Sequence, residues 1–140
     1  MIEWYKKVVF ENYANFNGRA RRSEYWYFLL TNFIILMGIV AVGFLIFSFS
    51  EDKDFAVGIG SILYLLYSVA VIIPSLAVAV RRLHDVGKSG WFYFICLIPA
   101  IGGLWLLILF FTDSQNGVNE YGANPKNELE EINEIGMLQN

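Results

Sequence analysis

The chain has 140 residues, of which 56% are hydrophobic and only 16% are charged, and its mean hydropathy is positive. Soluble domains carry about 25% charged residues, so this composition excludes an ordinary soluble domain and indicates an integral membrane protein. The single cysteine, Cys96, excludes an intramolecular disulfide and a cysteine metal cluster. The formal charge is -3, and we expect no nucleic-acid partner and no cofactor.

Residues 1–17 carry apolar side chains at helical spacing, with most charged side chains on the other faces. The apolar set is Ile2, Tyr5, Val9, Tyr13 and Phe16. This pattern predicts an amphipathic helix, and its position before a membrane span predicts that the helix lies in the membrane interface. The alternative is a short helix packed on the protein's own loops.

Three apolar segments follow, at residues 25–49, 57–80 and 91–111. The first two are long enough to cross a bilayer, which needs about 20 residues. The third contains Pro99, Gly102 and Gly103, so we expect either a bent third span or a re-entrant hairpin that returns the chain to the side it left. The sequence therefore predicts an all-α membrane protein with an interfacial N-terminal amphipathic helix and three transmembrane helices, the third of them bent or re-entrant.

The pattern of apolar segments also predicts the boundaries between the transmembrane domain and the tail. The transmembrane domain is predicted over residues 18–112 and a polar tail over residues 113–140, whose acidic stretch at 128–135 is either a short amphipathic helix or disordered.

Ser61, Ser68 and Ser75 recur every seven residues in the second span, a stripe that most often faces a neighbouring helix and alternatively lines a substrate path. Pro74 frees the carbonyl four residues earlier, which predicts a kink.

Two blocks of charged residues flank the first two spans. With the N-terminus in the cytoplasm, both blocks face the cytoplasm and three spans leave only Lys53 and Lys126 outside, so the positive-inside rule favours this orientation. The guanidinium groups of Arg19 and Arg22 match a phosphate group in geometry, whereas the simpler interpretation of the first block is an orientation signal and anchor.

We expect this charged layer to bind an anionic lipid headgroup or a protein partner, without enzymatic activity. The candidate residues are Arg19, Arg22, Glu24, Trp26, Arg81, Arg82, His84 and Asp85. One alternative is an oligomeric transporter or channel component whose path is lined by the serine stripe. In that alternative the partner is a second copy of the chain or another membrane protein. Another is a lipid-phosphate enzyme with His84 as acid or base, although no nucleophile or metal set accompanies this lone histidine.

Four motifs occur in order along nearly the whole chain. They are residues 18–26, residues 81–85 followed by 89–91, residues 98–102 and residues 117–125. Together they resemble the bacterial inner-membrane family called domain of unknown function 805. The resemblance implies a small multi-pass protein of the bacterial cytoplasmic (inner) membrane, with no assigned catalytic activity. It also implies that the two charged blocks and the tail motif around Asn119, Tyr121 and Gly122 belong together, which favours the re-entrant alternative because three spans would separate them.

Overall fold

The computed structural model describes residues 1–126, and the predicted acidic stretch at 128–135 lies outside the described residues. Within residues 1–126 the protein is helical and has no β-strand, so the prediction of an all-helical fold is confirmed there. Its elements are α1 (Ile2–Lys6) with a π-helical continuation (Lys7–Glu11), α2 (Arg22–Phe49), α3 (Lys53–Asp85), a 3-10 helix (Gly90–Leu97) and α4 (Ile101–Phe111).

Helices α2 and α3 form an antiparallel hairpin. They contain 28 and 33 residues, and their most apolar stretches have mean hydropathies of 2.5 and 2.3, so both are long and apolar enough to cross a membrane. Asp52 begins α3, because its carboxylate accepts a hydrogen bond from the amide of Phe55 at 3.0 Å. Both helices extend past the predicted spans, so the charged residues at their far ends belong to the same rigid elements.

The contact between α2 and α3 runs along one face of each helix. A Cβ atom added to Gly43 would lie 3.6 Å from the Cα atom of Gly60, so the two backbones approach closely near the connecting loop. Further along α3, Tyr67 and Arg81 also reach α2, where they bond Asn32 and Glu24. Residues 60, 67 and 81 therefore mark this face, one position before the predicted serine stripe.

Ser61, the first position of the predicted serine stripe, is not buried in the contact between α2 and α3. Ser61 is exposed and lines a surface groove together with Tyr64, beside the close approach of Gly43 and Gly60. Small residues at this contact let the two helices pack closely, and an added Cβ atom at either glycine would make an ordinary van der Waals contact with the other. Ser75, at the other end of the stripe, is half-buried in a cleft between α2, α3 and α4.

The third apolar segment is not one continuous helix. The 3-10 helix and α4 are joined at residues 98–100, where Ala100 adopts a φ of 65°. The two halves then pack against each other so tightly that a Cβ atom added to Gly102 would lie 1.8 Å from the carbonyl oxygen of Ile95. Pro99 and Gly102 thus mark a reversal of the chain. The backbone turns at Pro99, and at Gly102 it lies close to the backbone of the 3-10 helix.

Both ends of this third segment lie at the same end of the long helices. Gly90 contacts Val80 in the last turns of α3, and the carbonyls of Phe110 and Thr112 accept hydrogen bonds from Arg82, two residues further along α3. Of the two forms expected for residues 91–111, the structure therefore has the hairpin. The tail leaves this hairpin on the side where the 3-10 helix began.

The N-terminal segment packs against the long helices. Val8 is fully buried among Ala20, Phe28 and Val78, and the ring of Tyr5 stacks on Phe28 with centroids 5.7 Å apart. The helical part ends at Glu11, short of the predicted residue 17. Of the two predicted placements, the structure favours packing on the protein, although the segment contacts helices rather than loops.

Two tyrosine hydroxyls attach this segment to polar groups in the apolar part of the hairpin. Tyr13 donates a 2.6 Å hydrogen bond to the carbonyl of Ala70, which is the carbonyl left without a helical donor because Pro74 has no N–H. The hydroxyl of Tyr5 lies 3.2 Å from that of Tyr67. The first contact gives a donor to the Ala70 carbonyl and the second gives a partner to the Tyr5 hydroxyl, and an unpaired polar group in apolar surroundings is costly.

Candidate functional site

Five charged side chains are buried together at the end of α2 and α3 that carries Arg22 and Asp85, here called the polar end. They are Arg19, Glu24, Arg81, Arg82 and Asp85, none more than 8% exposed, and we call them the buried charged cluster. Arg19 precedes α2 and Glu24 lies in its first turn, whereas the other three lie within the last five residues of α3. The antiparallel pairing of the helices therefore brings together two blocks that are about 60 residues apart in the sequence.

Asp85 is the centre of one half of this cluster. Its side chain is fully buried and accepts hydrogen bonds from Arg19 Nε at 3.0 Å, from Arg82 and from the Ser114 hydroxyl at 2.6 Å. Its main-chain carbonyl also accepts a 2.9 Å bond from the amide of Gln115. One carboxylate thus joins the segment before α2, the end of α3 and the start of the tail.

Arg19 and Arg82 are fully engaged with other parts of the protein. Arg19 donates from Nη1 to the carbonyl of Gly117 at 2.8 Å and from Nη2 to that of Gln115 at 2.5 Å. Arg82 donates to the carbonyls of Phe110 and Thr112, the last of which follows α4. These bonds satisfy carbonyls at a helix C-terminus and in the tail, so the two guanidinium groups hold the tail in place.

The other half of the cluster is centred on Glu24. Arg81 Nη1 donates to Glu24 Oε1 at 2.6 Å, and Lys7 Nζ lies 3.2 Å from Glu24 Oε2 in an ion pair without a well-aligned hydrogen bond. The Nε and Nη2 atoms of Arg81 are buried, and neither has a hydrogen-bond partner within residues 1–126. The guanidinium group of Arg81 therefore has donor capacity that the described part of the chain does not use.

His84 connects α3 to the tail motif. Its ring is stacked on Tyr121 with centroids 3.8 Å apart and planes 2° from parallel, and its Nδ1 lies 3.2 Å from the carbonyl oxygen of Gly18. Asn119 donates from its side chain to the main-chain carbonyl of His84 at 2.9 Å. The tail motif and both charged blocks therefore meet at the polar end, as the family resemblance implied.

The remaining two candidate residues lie at the rim. The side chain of Arg22 is 45% exposed and bonds the carbonyl of Phe111 at 3.2 Å and the carboxylate of Asp113 at 3.4 Å. Trp26 stacks on Phe111 with centroids 4.4 Å apart. The pKa of Asp113 lies below its usual value, because Lys126 and the amide of Ser114 donate hydrogen bonds to its carboxylate. Arg22 is thus the one predicted arginine that stays accessible among residues 1–126.

Sequence reasoning missed two residues that complete the cluster. Ser114 bonds Asp85 across 29 positions of sequence, and Lys7 pairs with Glu24 from the N-terminal segment. Neither position stands out locally, since a serine in a polar tail and a lysine in an amphipathic helix are ordinary. Their roles depend on where the hairpin and the N-terminal segment return.

Comparison with known proteins identifies the family of this chain. A family model described as a protein of unknown function, DUF805, matches residues 13–123. The chain belongs to the DUF805 family. Two relatives of this DUF805 protein are the inner membrane proteins YhaI and YhaH of Escherichia coli strain K12. YhaI is 41% identical over 125 residues, which cover 89% of this chain and 97% of YhaI. YhaH is 40% identical over 132 residues, covering 91% and 99%. No solved structure matches the chain.

Proposed function

We propose that this DUF805 protein is a non-enzymatic integral protein of the bacterial inner membrane, and that its polar end faces the cytoplasm and binds the headgroup of an anionic phospholipid. Helices α2 and α3 would cross the membrane, and residues 90–111 would enter and leave the same leaflet. The names of YhaI and YhaH support the location. The orientation follows the positive-inside rule, since Lys53 lies at the loop end of α2 and α3 while both arginine blocks lie at the other.

The cations that we propose to contact the lipid are not the ones that the sequence predicts. Arg19 and Arg82 are used inside the protein, so a headgroup would meet the more accessible cations around them. Lys6, Lys7 and Arg21 line a groove of about 470 Å³ between the N-terminal segment and Pro125. Lys7 also connects this groove to the buried charged cluster, because it pairs with Glu24.

An excess of buried positive charge carries the proposal. The buried charged cluster contains three guanidinium groups and two carboxylates, which leaves one positive charge without a counterion among these five residues. The unpartnered Nε and Nη2 atoms of Arg81 belong to this excess. An excess of buried positive charge is costly, and a phosphate held by Lys7 and Arg21 would offset it from the neighbouring groove, which Arg81 itself does not line. Glu3 and Glu11 also line the groove. A bound anion must therefore lie against the lysines and Arg21, away from these two carboxylates.

Native mass spectrometry of the purified protein tests this proposal. Wild-type protein released from inner-membrane lipid is expected to retain phosphatidylglycerol or cardiolipin in preference to phosphatidylethanolamine. The double variant Lys7→Gln/Arg21→Gln should retain several-fold less of the anionic lipids, because both substitutions remove positive charge from the groove. Lys53→Gln, at the opposite end of α3, is the matched control and should retain as much as wild type. Equal retention by all three proteins would refute a specific headgroup site.

A reporter fusion tests the orientation separately. Green fluorescent protein joined after Asn140 should fluoresce, because the hairpin returns the tail to the side of the arginine blocks and that side is expected to be cytoplasmic. Alkaline phosphatase inserted in the loop after Ser50 should be active, since this loop lies at the far end of α2 and α3. Alkaline phosphatase joined after Asn140, in place of green fluorescent protein, should be inactive. Phosphatase activity of that fusion would refute the proposed topology.

A further inference from the structure

A second pocket lies on another side of the polar end, against the face of α3 that carries Leu76, Val80 and His84. It has a volume of about 490 Å³, within the roughly 300–1,000 Å³ range of small-molecule sites. The 3-10 helix forms the opposite wall with Trp91 and Phe94, which are 78% and 55% exposed. These exposed rings place the opening of the pocket at the outer surface of the bundle rather than in its core.

The lining changes from polar to apolar along the axis of α3. Leu76 and His84 are eight residues apart, which corresponds to about 12 Å along a helix. The polar groups of His84, Ser89 and Tyr121 lie at the end nearest the tail, whereas Leu76 and Phe94 provide apolar surface. Leu76 belongs to the predicted second span, so the apolar part of the pocket lies at hydrocarbon depth in the proposed topology.

His84 offers a hydrogen-bond acceptor to the polar part of the pocket. A carbonyl oxygen can only accept, so the 3.2 Å contact with Gly18 requires the proton on Nδ1. In the neutral ring, Nε2 is then an acceptor, and it faces Gly90, where an added Cβ atom would lie 3.5 Å away. Glycine at position 90 therefore leaves this nitrogen open to the pocket. A Cβ atom there would also come within 2.7 Å of Val80.

None of the eleven residues that line the pocket is Asp, Glu, Lys or Arg. A charged group placed there would lack a counterion, whereas an uncharged donor would meet the acceptor of His84. We infer that this pocket binds an amphiphile with one long apolar chain and an uncharged, hydroxyl-bearing head, of the monoacylglycerol type. Its chain would lie along Leu76 and Phe94, and a hydroxyl group would donate to His84 Nε2. This inference does not depend on the anionic-headgroup site, which lies between the N-terminal segment and Pro125.

Photolabelling in nanodiscs tests the inference. The probe is a monoacylglycerol with a diazirine in its acyl chain and an alkyne for detection. We expect saturable labelling of peptides that contain Leu76 or residues 90–94, and competition by unlabelled monoolein at concentrations at least tenfold below those needed for phosphatidylglycerol. Equal competition by the two lipids would overturn the requirement for an uncharged head. Labelling spread evenly over the apolar surfaces of α2 and α3 would overturn the site itself.

Two tryptophan substitutions on α3 provide a matched pair. Leu76→Trp fills the apolar part of the pocket and should lower labelling at least fivefold. Ile73→Trp adds the same bulk at an exposed position of the same helix outside the pocket lining and should leave labelling unchanged. Equal labelling of both variants would contradict the inference. If Leu76→Trp does not fold, the competition between monoolein and phosphatidylglycerol in wild-type protein decides the question.

Discussion

Replacing Asp85 by asparagine is the sharpest test of the buried charged cluster. The substitution keeps the shape of the side chain but removes the negative charge that faces Arg19 and Arg82, both nearly inaccessible to solvent. It also places an amide where the carboxylate accepts three side-chain hydrogen bonds, including one from Ser114. Removing one partner of a buried ion pair costs roughly 3–5 kcal/mol, and we expect a loss of that size in the free energy of unfolding.

Asp113→Asn is the matched control for this experiment. Asp113 also pairs with two cations, Arg22 and Lys126, but its side chain is 57% exposed. Exposed pairs contribute about 0–1 kcal/mol, so the same chemical change should have little effect there. Burial is therefore the main variable that separates the two substitutions.

Unfolding in mixed micelles with increasing SDS, followed by tryptophan fluorescence, measures both changes. Limited proteolysis gives a second measurement, because Asp85 joins α3 to the start of the tail. Tail cleavage should be faster in Asp85→Asn than in wild type, whereas the loop after Ser50 should be cleaved at an unchanged rate. If Asp85→Asn lost no more stability than Asp113→Asn, the buried charge pairing would not be what stabilises the polar end.

Two further predictions concern the hairpin and the N-terminal segment. Gly102→Ala should lower the free energy of unfolding by about 1–3 kcal/mol, because its Cβ atom would overlap the facing backbone, whereas Gly103→Ala meets nothing within 4 Å and should be neutral or stabilising by up to about 1 kcal/mol. The SDS titration compares the two, and equal losses would refute the close approach. Tyr13→Phe should cost about 0.5–2 kcal/mol, since the carbonyl of Ala70 loses its donor. The cost should shrink in a Pro74→Ala background, where a restored N–H reaches that carbonyl, and a double-mutant cycle without coupling would contradict this explanation.

Much of the fold could be predicted because apolar length and charge placement are local properties. The two long spans, the break at residues 98–103 and the all-helical class follow from runs of residues that can be read without knowing what they touch. The choice between a bent span and a hairpin could not be made in this way. It depends on whether α4 packs back on the 3-10 helix, and that close approach at Gly102 is a contact rather than a composition.

The sequence predicts which charged blocks lie together, but not which of their side chains are accessible; a binding role for them stays a prediction. Arg19, Arg82 and Asp85 do lie together, as their charges suggested. Their accessibility could not be predicted, because the tail that covers them begins about 30 residues after Asp85. Tail carbonyls occupy the donors that appeared available to a lipid phosphate, so the proposed contact moves to Lys7 and Arg21.

The amino-acid sequence alone determines that this chain suits a membrane, which ends of its helices are charged and which family it resembles, because hydropathy and motif order need no contacts to be recognised. It does not determine which cations are enclosed and which meet solvent or lipid. That outcome depends on the return of residues 90–126 over the ends of α2 and α3 and on the packing of the N-terminal segment beside them. Burial by distant segments, rather than residue type, distinguishes Arg19, held inside the protein, from Arg22, exposed at its rim.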